Sequence, residues 1–286
     1  MIGTVDVGGG MRGIYGAGVY DYCMDHGISF DVCVGVSAGA ANLCSYLAGQ
    51  RGRNYRFYTE YAFRKEYMSG WNYLKSRSYL DLDYIYGTLS NAGGESPLDY
   101  AAMLRSGKQF QIVATHAKTG MPVYFRMEDM QQDRYDAVKA SCCVPIVNRP
   151  YRIGGEDYFD GGLSDPIPVN RLFQAGCKKA VVVLTRPEEE YRSPKNDRRF
   201  AKILAAAYPN IARRLSGRAD LYNRQLDLLK RYREKGRVLI IAPKDIGGMR
   251  TLNRDRAAME RMYHEGYEDA GKIAEFLRQD APRRQA

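Results

Sequence analysis

The sequence predicts an α/β protein, three layers (α/β/α) built around a mostly parallel central sheet. Three observations lead there. The first fifty residues read strand, helix, strand, helix, and two strands joined by a helix imply a parallel pair. Two later apolar runs, Ala180 to Thr185 and Val238 to Ala242, have the look of buried strands. A chain of 286 residues with 45% apolar content is large enough to bury a substantial core.

Taken in order, Ile2 to Val7 is a short strand running into glycines. Arg12 to His26 carries apolar residues at helical spacing and closes at Gly27, a C-cap residue. Phe30 to Val34 is a second apolar run ending at Gly35, and Ala38 to Ala48 is a small-residue helix. Residues 55–86 are rich in aromatics, from Tyr55 to Tyr86. Such a stretch walls an acyl-chain pocket, dips into a lipid interface, or packs on the core, which is the commoner use. Gln109 to Thr115 and Val123 to Arg126 flank Lys118-Thr119-Gly120 and form a hairpin. A second hairpin joins Tyr151-Arg152-Ile153 to Tyr158-Phe159-Asp160 through Gly154-Gly155-Glu156-Asp157. Residues 199–235 and 253–279 read as helices. A strand returns after the polar, proline-containing stretch Arg186 to Asp197. One domain over 1–286 is therefore expected, with a basic, mainly helical C-terminal portion from about residue 186.

The formal net charge is +10, and residues 186–286 carry +9 of it. Such a basic third suits peripheral contact with an anionic membrane surface, or a phosphate-bearing substrate. Nucleic acid is the less favoured partner. The basic residues are interleaved with Glu and Asp, so a solvated helical face explains them equally well. The six cysteines lack metal-ligand spacing, and three sit in apolar stretches as small hydrophobes. A reduced, cytoplasmic protein is expected, at most peripheral to the inner face of a membrane. The start, Met-Ile-Gly-Thr-Val-Asp-Val, lacks the pattern of a secretory signal, and no apolar run approaches a membrane span.

Chemistry concentrates in three segments. Gly35-Val36-Ser37-Ala38-Gly39 lies at a strand-to-helix junction, the setting of a nucleophile elbow. There a serine Oγ stands at a helix N-terminus, where developing negative charge is favoured. Gly8-Gly9-Gly10-Met11-Arg12-Gly13 follows a strand and opens a helix, which also fits a dinucleotide fingerprint. That reading needs an acidic residue ending the second strand. Asp31 instead precedes the apolar part of that strand, and Ser37 occupies its end, so nucleotide binding is disfavoured. The glycine amides suit an oxyanion hole beside Ser37. For a base, the chain offers His26, His116 and His264, each in a setting more typical of a structural or solvated residue. Asp160 ends a short aromatic strand and is followed by Gly161-Gly162, which permits close backbone approach; an ordinary turn aspartate is the bland alternative.

With these segments in this order, the chain resembles the patatin-like phospholipases. A fourth block of that family, Ala-Ser-x-x-x-Pro, is matched by Ala140-Ser141-Cys142-Cys143-Val144-Pro145. The family pattern continues with an aromatic residue and then proline. Here the chain runs Ile146-Val147-Asn148-Arg149-Pro150, a departure beside the expected acyl pocket. The resemblance covers about the first 170 residues. It implies a patatin-like fold, Ser37 as nucleophile and Asp160 as a base acting without histidine. Gly8, Gly9 and Gly10 would form the oxyanion hole, supported by Arg12, Gly13, Gly35, Gly39, Gly161 and Gly162. It further implies a lipid ester substrate, an acyl-enzyme intermediate, and no metal or organic cofactor. Two alternatives stand beside it. One is a Ser-Asp-His esterase of the general α/β-hydrolase kind using His264. The other is a non-catalytic lipid- or nucleic-acid-binding regulator, against which the intact Ser37, Asp160 and glycines argue.

Overall fold

The computed structural model describes residues 1–278. The chain opens with β1 (Ile2–Asp6), α1 (Ile14–Asp25), β2 (Val32–Val36) and α2 (Ala38–Leu47). Three short helices follow, α3 (Arg53–Thr59), α4 (Gly70–Ser76) and α5 (Tyr100–Arg105), then the strands β3 (Gln109–His116) and β4 (Pro122–Arg126). Next come α6 (Asp136–Ser141), β5 (Tyr151–Ile153), β6 (Glu156–Asp160), α7 (Val169–Gln174) and β7 (Lys179–Val183). The basic third contributes α8 (Lys195–Leu204), α9 (Pro209–Glu234), β8 (Val238–Ile241), α10 (Arg256–Asp269) and α11 (Lys272–Arg278).

Among the described residues, eight strands form one sheet in the order β5-β6-β3-β2-β1-β7-β8, with β4 paired to β3. The run β3-β2-β1-β7-β8 is parallel, while β4 and β6 pair antiparallel with β3, and β5 with β6. Side chains alternate between two covered faces, as the two-residue period of a strand requires. Val32, Val34, Val36 and Val182 pack with Leu172 and with Leu226 and Leu229 of α9. Cys33, Ile112, Val181 and Val183 belong to the other core, with Ile14 of α1, Leu43 of α2 and Met259 of α10.

The helical stretches divide where the sequence reading ran them together. Residues 199–235 hold the end of α8 and all of α9, separated at Pro209, which occupies the first turn of α9. Proline has no N–H to continue the helix before it, yet suits the first turn of the next. Residues 253–279 hold α10 and α11, and residue 279 lies outside the described residues. Helix α10 lies against α1 at backbone contact. A Cβ on Gly18 would stand 2.1 Å from the Tyr263 carbonyl oxygen, and one on Gly266 2.1 Å from that of Tyr15. Two buried bonds tie the pair: Tyr15 Oη donates to Asp269 at 2.8 Å and Tyr263 Oη to Asp21 at 2.7 Å.

Candidate active site

Strand β2 ends at Val36 and α2 begins at Ala38, so Ser37 makes the turn by itself. Its φ of 54° and ψ of −132° are a conformation that residues with side chains rarely adopt. The flanking glycines leave no space for a side chain: a Cβ on Gly35 would lie 2.4 Å from Ala40 Cα, and one on Gly39 2.3 Å from the Asp6 carbonyl oxygen. The elbow is bolted to the sheet from below. Ser37 N–H donates to Ser141 Oγ at 2.8 Å, and that hydroxyl donates to the Val113 carbonyl at 2.6 Å. Ser141, the last residue of α6, therefore links the turn to β3.

Strand β3 also fixes Asp160. Val113 pairs with Val36 of β2 on one side and Tyr124 of β4 on the other. The next residue, Ala114, pairs with Val123 of β4 and Asp160 of β6. Because β4 occupies one edge at both positions, β2 and β6 share the other edge and meet end to end. Ser37 and Asp160 are thus neighbours by register. The Asp160 carboxylate accepts the Gly162 N–H at 2.7 Å, and its backbone carbonyl accepts Thr115 Oγ1 at 2.8 Å. Enclosure raises the pKa of Asp160 above the ordinary carboxylate range, and the hydrogen-bonding Ser37 hydroxyl and the Gly162 amide pull part of that back. None of the three histidines lines the cavity shared by Ser37 and Asp160. His26 stacks on Tyr22, His116 bonds Glu156 at 3.0 Å, and His264 is exposed on α10.

The glycine loop has three successive positive φ values, 64° at Gly8, 130° at Gly9 and 61° at Gly10, which glycine alone tolerates at low cost. Gly8 departs from the role read in the sequence: its N–H already donates to Asp6 Oδ1 at 2.9 Å. It shapes the loop, leaving the amides of Gly9 and Gly10 as the candidate oxyanion donors. Asp6 was not singled out in the sequence. It is fully buried, and its other oxygen accepts Asn42 Nδ2 at 2.9 Å. Asn42 in turn donates to the Gly13 carbonyl at 2.8 Å, so one amide ties the glycine loop to α2. Burial pushes the Asp6 carboxyl up to about 6, against the hydrogen bonds from Asn42 and Gly8. Thr251 reaches in from the C-terminal third, its carbonyl accepting Met11 N–H at 2.8 Å.

The family model described as Patatin-like phospholipase matches residues 7–173, more than half of the chain. The chain belongs to this family. A second model, described as a domain of unknown function (DUF6363), matches residues 208–279. Among curated relatives, this patatin-like chain is 33% identical over 208 residues to YjjU of Escherichia coli (strain K12), an alignment covering 71% of this chain and 57% of that one. It is 29% identical over 187 residues to lysophospholipase NTE1 of Candida albicans, covering 64% of this chain and 13% of that one. The chain therefore spans little more than half of the first relative and a small part of the second. Among solved structures, VipD from Legionella pneumophila matches with a TM-score of 0.50 at 15% identity, covering 96% of this chain and 66% of that one, a likeness of fold.

Two cavities meet at Ser37 in this patatin-like site. The larger, about 560 Å³, is lined by Ser37, Asp160, Gly8, Gly9 and Gly10, and by Arg12, Arg186, Arg192 and Arg218. The narrower, about 50 Å³, is apolar, with Tyr58, Tyr67, Leu80, Ile85, Tyr86 and Cys142 in its wall. The aromatic stretch thus does two things. Tyr58, Tyr67 and Tyr86 wall this pocket, while Trp71 is 72% exposed on α4. The segment that departs from the family pattern turns at Ile146, whose φ of 73° is unusual for a β-branched residue, and it lines the larger cavity. No described helix is long and apolar enough to cross a membrane, and the described residues hold no cluster suited to a metal ion.

Proposed function

We propose that this protein hydrolyses acyl esters of lipids through a Ser37–Asp160 dyad. Ser37 Oγ attacks the ester carbonyl carbon as Asp160 takes its proton. The oxyanion receives the N–H groups of Gly9 and Gly10 and the positive end of α2. Collapse expels the alcohol, which leaves with the proton from Asp160, and an acyl group stays on Ser37. Water, deprotonated by Asp160, then attacks the acyl carbon and releases the fatty acid and the serine. The enclosed setting of Asp160 supports the role, because a carboxylate becomes a useful base only when its pKa is raised toward the working pH. The apolar pocket beside Ser37 suits the first carbons of an acyl chain.

The observation that carries this reading is the meeting of the strained Ser37 elbow and Asp160 on one edge of β3. The same proposal treats residues 1–286 as one domain with its substrate at the sheet end. It includes peripheral contact with a membrane, supported by α4, where Trp71 and Leu74 are 72% and 77% exposed beside Lys75 and Arg77. The test is hydrolysis of a short-chain chromogenic ester by wild type, Ser37→Ala, Asp160→Asn and His264→Ala, with folding checked by circular dichroism. The first two variants should lose about three orders of magnitude or more in kcat/KM, and His264→Ala should retain wild-type rates. Equal loss in His264→Ala would replace the dyad with a histidine triad.

A further inference from the structure

Four guanidinium groups face one cavity beside Ser37: Arg12 from the glycine loop, Arg186 and Arg192 from the segment after β7, and Arg218 from α9. Among the described residues, only two have a carboxylate partner. Arg218 grips Asp197, with Nε 2.9 Å from Oδ2, and Arg186 pairs with Glu190 through Nη1. Arg12 is 4% exposed and, among the described residues, donates only to backbone carbonyls, those of Thr185 at 3.2 Å and Met249 at 3.5 Å. The Arg192 guanidinium lies 5.3 Å over the Tyr222 ring and donates no hydrogen bond to a described residue. Arg186 Nε is buried without a hydrogen-bond partner among the described residues.

Such an arrangement is costly if nothing else enters. Buried cations are ordinarily paired, and an unsatisfied buried donor is penalised. Burial lowers the pKa of Arg12 to about 10, and Arg186 lowers it further than any other charge does. Burial lowers that of Arg192 too, with repulsion from Arg218 the next cause. The arginines repel one another across a partly enclosed space, and an anion bound among them would relieve that repulsion. Guanidinium forks match the oxygens of a phosphate group in geometry as well as charge.

We infer that Arg12, Arg186, Arg192 and Arg218 form a binding site for a phosphate monoester or diester, seating a lipid headgroup in the wide cavity while its acyl chain enters the apolar pocket across Ser37. As a headgroup site, it rests on the acyl-hydrolase reading above. Three of its four arginines lie beyond residue 173, outside the region that the patatin-like family model matches. On this assignment the basic third sets substrate choice, and part of its charge faces inward.

The test has two arms. In the first, calorimetry measures binding of inorganic phosphate and of glycerol phosphate to wild type, Arg192→Gln and Arg192→Lys. In the second, kcat/KM is compared for a short-chain acyl glycerophosphate and for the neutral acylglycerol with the same chain. Wild type should bind glycerol phosphate and favour the phosphate-bearing ester. Arg192→Gln should weaken binding about tenfold and lower the phosphate-to-neutral specificity ratio about tenfold, the worth of one charge-assisted hydrogen bond, with Arg192→Lys intermediate. Should Arg192→Gln misfold, competitive inhibition of wild-type neutral-ester hydrolysis by glycerol phosphate supports the site by itself. Phosphate binding without hydrolysis of either ester would keep the anion site, assign it to a free phosphate compound, and overturn the hydrolase reading. No phosphate binding, with equal turnover of both esters, would overturn the site and leave the hydrolase reading standing.

Discussion

Ser141 illustrates how a residue without direct chemistry can hold the strained turn at Ser37, the proposed nucleophile. Its hydroxyl receives the Ser37 N–H and donates to the Val113 carbonyl, so Ser141→Ala leaves a buried donor and a buried acceptor unmatched. The expected cost is about 1–3 kcal/mol of stability, read from denaturant unfolding, with kcat falling about tenfold or more and KM little changed as the elbow loosens. Asp6 makes a second case, read through pH. Its carboxyl holds a proton more tightly in the folded chain, up to about 6 against an ordinary 3.8. Its contribution to stability is therefore full below the unfolded value and is lost as pH rises through about 6. The difference amounts to about 3 kcal/mol at most. Melting temperatures of wild type and Asp6→Asn, followed from pH 4 to pH 8, should show the wild type losing stability relative to the variant as pH rises; parallel curves would refute this. Ser37, Asp160, Gly9 and Gly10 were legible as candidates because their motifs are contiguous, whereas the occupied amide of Gly8 was not. Asp6 was not, because a buried aspartate at a strand end has no pattern that separates it from a turn residue. Nor were Arg186, Arg192 and Arg218 legible as a group, since nothing in their spacing brings a loop and a distant helix together.

At the scale of elements, hydrophobic period and glycine position carried most of the fold. The βαβ opening, both hairpins and the strands β7 and β8 lie where apolar runs and turn residues put them. Boundaries shifted where tertiary pairing extends or trims a run: β2 begins at Val32 and reaches Val36 because its partner registers run from Gly3 to Asp6 on β1 and from Gln109 to Val113 on β3. The long charged stretches were harder. Their helical period survives a proline at a helix start, so the division of α8 from α9 leaves little trace beyond Pro209 itself. Of the short helices between α2 and β3, α3 and α4 fall largely within the stretch 55–86, which was read for its aromatics, and α5 was not read. Their fate is decided by which rings reach the pocket beside Ser37, and that is a property of packing.

On the scale of the whole molecule, the basic third is built into the body. Strand β8 extends the parallel sheet through β7, α9 covers one face, and α10 contacts the backbone of α1. A chain ending at residue 207 would uncover Val182, Leu172 and the edge of β7, so it should aggregate or melt without cooperativity; a soluble, cooperatively melting fragment would instead mark residues 208–279 as a separate domain. The register of β3 has a different kind of reach. Since β2 and β6 abut along one strand at consecutive residues, the distance between Ser37 and Asp160 is set by a ruler one residue long. The intervening loops do not enter that measure. Insertions or deletions in the β3–β4 turn at Lys118-Thr119-Gly120, or around the β5–β6 turn at Gly154, can accumulate without moving the two side chains apart. A single-residue slip along β3, by contrast, would separate them and turn every side chain of the displaced strand to the opposite face of the sheet. Sequence drift is thus free in length at the rim and quantised at the centre.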